Sequence, residues 1–192
     1  MASRKVIIAI IGLPSSGKTM LGNYLKSSGY YVLPEVAGLL LSRGLTAGER
    51  ADSDFDRKVM SMEFARDYRF LRSNRGVQVV ETWHIGNMAY SMARFSPTMY
   101  KYESKFSNTL QKFEAKCLFL DIDPYTSYLR SLKLRKPTSN SINFLDRVQE
   151  HMRTLIDDFR LVSVALDATK SSKDILGRAL DVVSSWAASE NI

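Results

Sequence analysis

The stretch that most constrains this chain is KVIIAIIGLPSSGKT, residues 5–19. Residues 5–11 form a continuous apolar run rich in β-branched Val and Ile, which reads as a strand buried on both faces. Gly12, Gly17, Lys18 and Thr19 then satisfy G-x-x-x-x-G-K-[ST]. Beyond them Leu21, Tyr24, Leu25 and Ser28 recur at helical spacing. Strand, glycine loop and helix follow in the order that a phosphate-binding loop requires. Gly12 and Gly17 let the backbone wrap an anion, and with Pro14, Ser15 and Ser16 between them several N–H groups can point inward. The helix starting near Lys18 adds its positive dipole end. The motif assigns Lys18 to the β- and γ-phosphates and the Thr19 hydroxyl to Mg2+.

A competing explanation of the same run is a secretion signal, because Arg4 and Lys5 precede an apolar stretch from Val6 to Leu13. No small-residue cleavage site follows it. It is also far short of the roughly 20 apolar residues that cross a bilayer, and no other stretch is long enough. No membrane partner is expected. Cys117 is the single cysteine, so an intramolecular disulfide is excluded, and within AKCLFLD it reads as a small buried hydrophobe. One Cys and two His argue against structural zinc. The expected compartment is reducing and cytoplasmic. The 192 residues, 45% hydrophobic and 24% charged, suit one α/β domain over 1–192, without repeat or linker. A net charge of +7 favours a polyanionic partner. The phosphate loop makes that partner a small polyphosphate, and no nucleic acid is required.

Strand-like runs occupy 5–11, 30–34, 76–81, 116–122 and 161–167. Helical patterns lie near 18–28, 36–43, 54–74, 84–94, 101–113, 124–134, 143–159 and 172–187. Strands alternating with helices predict a parallel sheet covered on both faces. Ligands of such sheets bind at the carboxyl ends of the strands, so the residues there carry the function.

Glu35 ends the second strand, where a carboxylate can accept a proton from a hydroxyl or hold a sugar. Glu81 ends the third, beside the phosphate loop, where a carboxylate can support Mg2+ through water. Trp83 follows it and can stack on a base; His84 is expected to be structural. Asp121, at the end of the fourth strand, is expected to orient neighbouring loops rather than bind metal. The helix after it carries Arg130, Lys133, Arg135 and Lys136 ahead of PTSNSIN, which suggests a mobile lid over about 133–143 with charges that stabilise a transferring phosphoryl group. An acceptor-side segment is expected over about 36–75, with a polar loop at 42–54. Within it Arg66, Arg69 and Arg72 recur at i, i+3, i+6, preceded by Arg57, and such a stripe can clamp an acceptor's phosphate. Met60, Met62, Met88 and Met92 read as core fillers.

Taken together, these motifs resemble the thymidylate kinase and deoxynucleoside kinase branch of the P-loop kinases. GLPSSGKT is similar to the family's phosphate loop, and LDIDPYTSYLR resembles its fourth-strand signature with Arg130 at the lid arginine. FLDRVQEHM (144–152) looks like the thymidylate kinase helix after the lid. LDATKSSKDI (166–175) looks like the final strand and the loop that passes the adenine, which implies nucleotide contacts from Ala168 and Thr169. LPE at 33–35 is more like the deoxynucleoside kinases, in which that glutamate is the base. Thr82 departs from both, which usually place an arginine there. The resemblance implies a five-stranded parallel sheet, a lid, ATP and Mg2+, and often a homodimer.

The leading expectation is phosphoryl transfer from ATP to a nucleoside monophosphate such as dTMP, with Lys18, Glu35, Glu81, Arg130 and Arg135 in catalytic roles. Glu35, Arg57, Arg66, Arg69 and Trp83 would then contact the acceptor. The alternative is a nucleoside kinase acting on a 5′-hydroxyl, and a further one is a nucleotide-binding regulatory module without turnover. A regulatory GTPase is disfavoured, because TKSSKD has the wrong spacing for [NT]-K-x-D.

Overall fold

The computed structural model describes residues 4–44, 51–97, 99–131 and 139–188. Its elements run β1 (Val6–Gly12), α1 (Lys18–Ser27), β2 (Val32–Leu33), α2 (Val36–Leu41), α3 (Ser53–Leu71), β3 (Val77–Glu81) and α4 (Trp83–Ala93). They continue with α5 (Met99–Leu110), β4 (Glu114–Asp121), α6 (Pro124–Ser131), α7 (Ser139–Asp158), β5 (Val162–Asp167) and α8 (Ser172–Ala188). The five strands form one sheet in the order β2-β3-β1-β4-β5, and every pairing is parallel.

The order follows from burial. β1 lies at the centre, and its Ile7, Ile8, Ile10 and Ile11 are fully buried. Each contributes roughly 1.5–3 kcal/mol relative to exposure. The two outer strands are different. β5 keeps Val162, Ser163 and Ala165 exposed, and β2 is only two residues long. The expected strand at 30–34 shortens because Pro34 has no N–H to extend the ladder. At its other end Tyr31 still joins the sheet through its carbonyl, which accepts from Val79 N at 2.9 Å.

α3 starts where Asp52 caps it, its carboxylate accepting from Phe55 N at 2.8 Å. α3 packs against α2 through a small separate cluster of Val36, Leu40, Phe55 and Val59. α7 begins four residues earlier than its apolar pattern predicts, at Ser139 rather than 143. Of the expected lid, residues 133–138 lie outside the described residues, and 139–143 form the first turn of α7. Met88 is in the main core, Met60 and Met92 pack on its edge, and Met62 packs on the α2–α3 cluster. Cys117 is a buried hydrophobe in β4, and burial pushes its thiol up to about 12. No helix among the described residues is long and apolar enough to cross a membrane.

Candidate active site

β1 delivers the chain to Gly12, where it must turn. Gly12 has φ of +150° and Gly17 +103°, with Ser15 at +55° between them. A Cβ on Gly12 would lie 2.6 Å from the Leu120 carbonyl oxygen and 2.8 Å from Ser16 Oγ. Any side chain there would push the loop off β4. Ser127 Oγ on α6 donates to the Pro14 carbonyl at 2.7 Å and ties the loop to the neighbouring helix. Lys18 is buried, and its Nζ donates back to the carbonyls of Gly12 at 3.0 Å and Leu13 at 2.9 Å. Burial pulls the Lys18 ammonium below its ordinary pKa, and the carboxylates of Glu35 and Glu81 oppose that pull. Ser16 Oγ is buried with no hydrogen-bond partner among the described residues. A cradle that excludes side chains, a desolvated cation and an orphaned hydroxyl all fit a phosphate.

Thr19 Oγ1 donates to Glu81 Oε2 at 2.8 Å. Gly22 makes room for that carboxylate, since a Cβ there would meet Glu81 Oε1 at 2.8 Å. Burial holds the Glu81 carboxyl above the usual glutamate range, and the Thr19 hydrogen bond offsets part of the shift. Among the described residues no group of three or more His, Cys, Asp or Glu side chains could hold a metal by itself. One hydroxyl and one carboxylate are instead what Mg2+ uses when phosphate oxygens and water complete its shell.

Beside Lys18 a cavity of about 420 Å³ opens between α2, α3, α4 and α7. Glu35, the residue that caps α2, lines it near Pro14 and Lys18. Phe55, Val59, Tyr90 and Phe144 supply apolar wall. Asp56 of α3 and Arg94 at the end of α4 also line it, as a buried ion pair. The second carboxylate oxygen of Asp56, Oδ2, has no hydrogen-bond partner among the described residues. Burial pushes the Tyr90 phenol well up, so it stays neutral.

Behind the wall lies a buried polar layer. Asn87, which lines the cavity, donates through Nδ2 to Glu63 Oε1 at 2.9 Å. Glu63 pairs with Arg66. Asp67 accepts from Trp83 Nε1 at 3.1 Å and bonds His84 Nε2 at 2.7 Å, while His84 Nδ1 meets the Tyr102 hydroxyl at 2.9 Å.

Several expected site residues fall elsewhere. Trp83 cannot stack on a base: it is fully buried in the core, held by Asp67 and set edge-on to Phe106. His84 beside it is structural, as expected. Arg57 is exposed and pairs with Asp54 within its own helix. Arg69 is exposed too. Arg66 lies on the inner face but is engaged by Glu63 and by the Pro34 carbonyl at 3.0 Å. The three arginines therefore make no single clamp. Arg130 lies against the loop after β5, donating to the Ala168 carbonyl at 2.9 Å. Thr169 N is bonded to Asp167 Oδ1 at 2.9 Å. Asp121 orients neighbouring elements, accepting from Gln149 at 2.7 Å and Arg153 at 2.8 Å. Arg135 lies outside the described residues.

Asp56, Asn87, Tyr90 and Arg94 are missed by sequence reasoning. One signal was available: Asp56, Glu63 and Asp67 recur on the helical face of α3 that Phe55, Val59 and Phe70 define as inward. Nothing in the sequence links them to Arg94.

A central parallel sheet with a phosphate loop after its first strand, a carboxylate after its third and a cavity beside both define a P-loop protein with the kinase fold. The family described as AAA domain matches residues 7–160, and the chain belongs to that family. No curated protein matches it by sequence. Among solved structures it is similar to deoxyadenosine kinase from M. mycoides with bound dCTP, at 15% identity and a TM-score of 0.59, over 93% of this chain and 99% of that one. The same kinase with the products dCMP and a flexible dCDP bound matches at 12% identity and a TM-score of 0.63, over 93% and 99%. At such identities the likeness is one of fold.

Proposed function

We propose that the protein is an ATP-dependent nucleoside kinase that phosphorylates a 5′-hydroxyl. One observation carries this reading. Glu35 lines the cavity beside Lys18, whereas Arg57 and Arg69, which a monophosphate acceptor would need, are exposed outside it. A hydroxyl must lose a proton to attack, and an ionised phosphate need not. The deoxynucleoside alternative is thus better supported than a thymidylate-kinase-like acceptor, and the fold likeness to a deoxyadenosine kinase agrees with it.

In this reading the acceptor occupies the cavity with its sugar toward Glu35 and its base between Phe55, Val59 and Phe144. Glu35 accepts the hydroxyl proton as that oxygen forms its bond to the γ-phosphorus of ATP and the bond to the ADP oxygen breaks. Lys18 releases the two loop carbonyls and turns to the phosphates. Arg130 and Ala168 flank the donor base. Thr19 and Glu81 would hold Mg2+, which supplies charge neutralisation across the β- and γ-phosphates when bound. A cytoplasmic location and a homodimer are corollaries, checked by fractionation and by light scattering.

The test is ADP release over a panel of nucleosides and nucleoside monophosphates with MgATP. Turnover of at least one nucleoside, with its monophosphate inert as acceptor, is expected. Turnover of monophosphates alone would overturn the reading.

A further inference from the structure

Glu35 has to be held in place, and its own elements hold it poorly. β2 is two residues long and pairs on one side only, Val32 with Val79 and Leu33 with Val80. α2, which Glu35 caps, spans only Val36–Leu41, and no side chain caps it. A strand end and a single short helix leave the Pro34–Glu35 backbone free to shift.

A tether comes from another helix. Arg66 of α3, which is 5% exposed, donates through Nη1 to the Pro34 carbonyl at 3.0 Å, one peptide before Glu35. Its other arm pairs with Glu63, which is fully buried, and Glu63 in turn accepts from Asn87 on the cavity wall. Arg66 also lies close enough to Glu81 to act on its charge. A buried ion pair is weak support for stability, since well-packed apolar residues of similar volume often replace it without loss. What an apolar pair cannot reproduce is one guanidinium that meets a carboxylate as an ion pair through Nη2 and hydrogen-bonds a backbone carbonyl through Nη1.

We propose that the Glu63–Arg66 pair is a positioning device that fixes the Pro34–Glu35 backbone and so aims the proposed base at the acceptor. The proposal rests on the nucleoside-kinase reading for its catalytic consequence but not for its structural one. Neither residue touches the acceptor; both act through Glu35, and Asn87 links the device to whatever fills the cavity.

The test uses the full chain carrying Glu63→Met together with Arg66→Met, so that neither charge is left alone in the interior. Hydrogen exchange is read at the backbone amides of β2 and α2, with thermal unfolding as the control. Exchange there about tenfold faster than in wild type, with an unfolding midpoint within a few degrees, is expected. Unchanged exchange overturns the proposal whatever the enzyme's substrate. On the nucleoside that wild type turns over best, kcat should fall at least tenfold and acceptor KM less than threefold; equal losses in both would mark a merely structural role. If the double variant does not fold, Arg66→Lys keeps the charge but offers one nitrogen in place of a fork. It should show the same local exchange effect at smaller size, and wild-type exchange and kcat in that variant would likewise overturn the proposal. Failure of the substrate reading shows separately, as a wild type inert toward every nucleoside.

Discussion

The two halves of the site are built from different materials. The donor half is made by backbone: a strand, a glycine loop and a helix start, contiguous in sequence from Val6 to Ser27. One lysine and one threonine complete it. The acceptor half is made by side chains from α2, α3, α4 and α7, which lie far apart in sequence. Backbone geometry recognises what all nucleotides share, a phosphate chain. Side chains on separate helices can vary one at a time, and so can set which acceptor is taken.

The largest effect should come from the donor half. Lys18→Ala removes its buried cation, and loss of such a donor costs about 3–4 kcal/mol, roughly a thousandfold in kcat. Lys18 is one of the residues lining the cavity and its other walls are untouched, so acceptor binding measured by calorimetry should change far less than turnover. Turnover near wild type would break the contrast between the halves at its root.

Glu35→Gln tests the seam between them. The amide keeps the shape and loses the base, and a fall in kcat of about a hundredfold is expected, with acceptor KM changed little. A rise in KM without loss of kcat would reassign Glu35 to sugar binding.

Asp56→Asn probes the acceptor half alone. It replaces one carboxylate oxygen with an amide donor beside Arg94, at a position where Oδ2 has no hydrogen-bond partner among the described residues. A hydrogen bond to a charged group contributes about 1.5–3 kcal/mol, so acceptor KM should rise roughly tenfold or more. The ranking of bases in a substrate panel should change, while KM for ATP should not. An unchanged ranking would take Asp56 out of acceptor recognition.

The same division explains what was legible in the sequence. The donor half has local rules: β-branched residues for a central strand, glycines where φ must be positive, a lysine and threonine at fixed offsets. The five strands and eight helices among the described residues are visible for the same reason, with errors confined to ends such as the shortened β2. The acceptor half depends on which face of α3 turns inward. Arg66, Arg69 and Arg72 look like one stripe by spacing, yet Arg66 shares the inner face with Phe55, Val59 and Phe70 while Arg69 is exposed. Trp83 lies two residues after Glu81 in sequence, but Thr82 and Trp83 both adopt positive φ, at +66° and +47°. That turn carries the indole into the core. Pairings such as Asp56 with Arg94 depend on tertiary packing and leave no local mark.

The smallest effect concerns Glu81 and runs in opposite directions with and without nucleotide. Burial raises its carboxyl pKa in the folded chain. A carboxyl raised on folding contributes stability that is present below its unfolded value and is lost as pH rises through its folded value. At pH 7, well above the unfolded value, the raised carboxyl therefore costs the folded state stability. Glu81→Gln should raise the melting temperature of the nucleotide-free protein by a few degrees at pH 7, and the difference should shrink toward pH 4, where wild type is protonated. With MgATP the order should reverse, because the charge that burdens the nucleotide-free protein then faces a cation, and ligand-induced stabilisation scales with affinity. Melting curves of both proteins at the two pH values, with and without MgATP, decide the matter. A variant stabilised by MgATP as much as wild type would remove Glu81 from the metal's support.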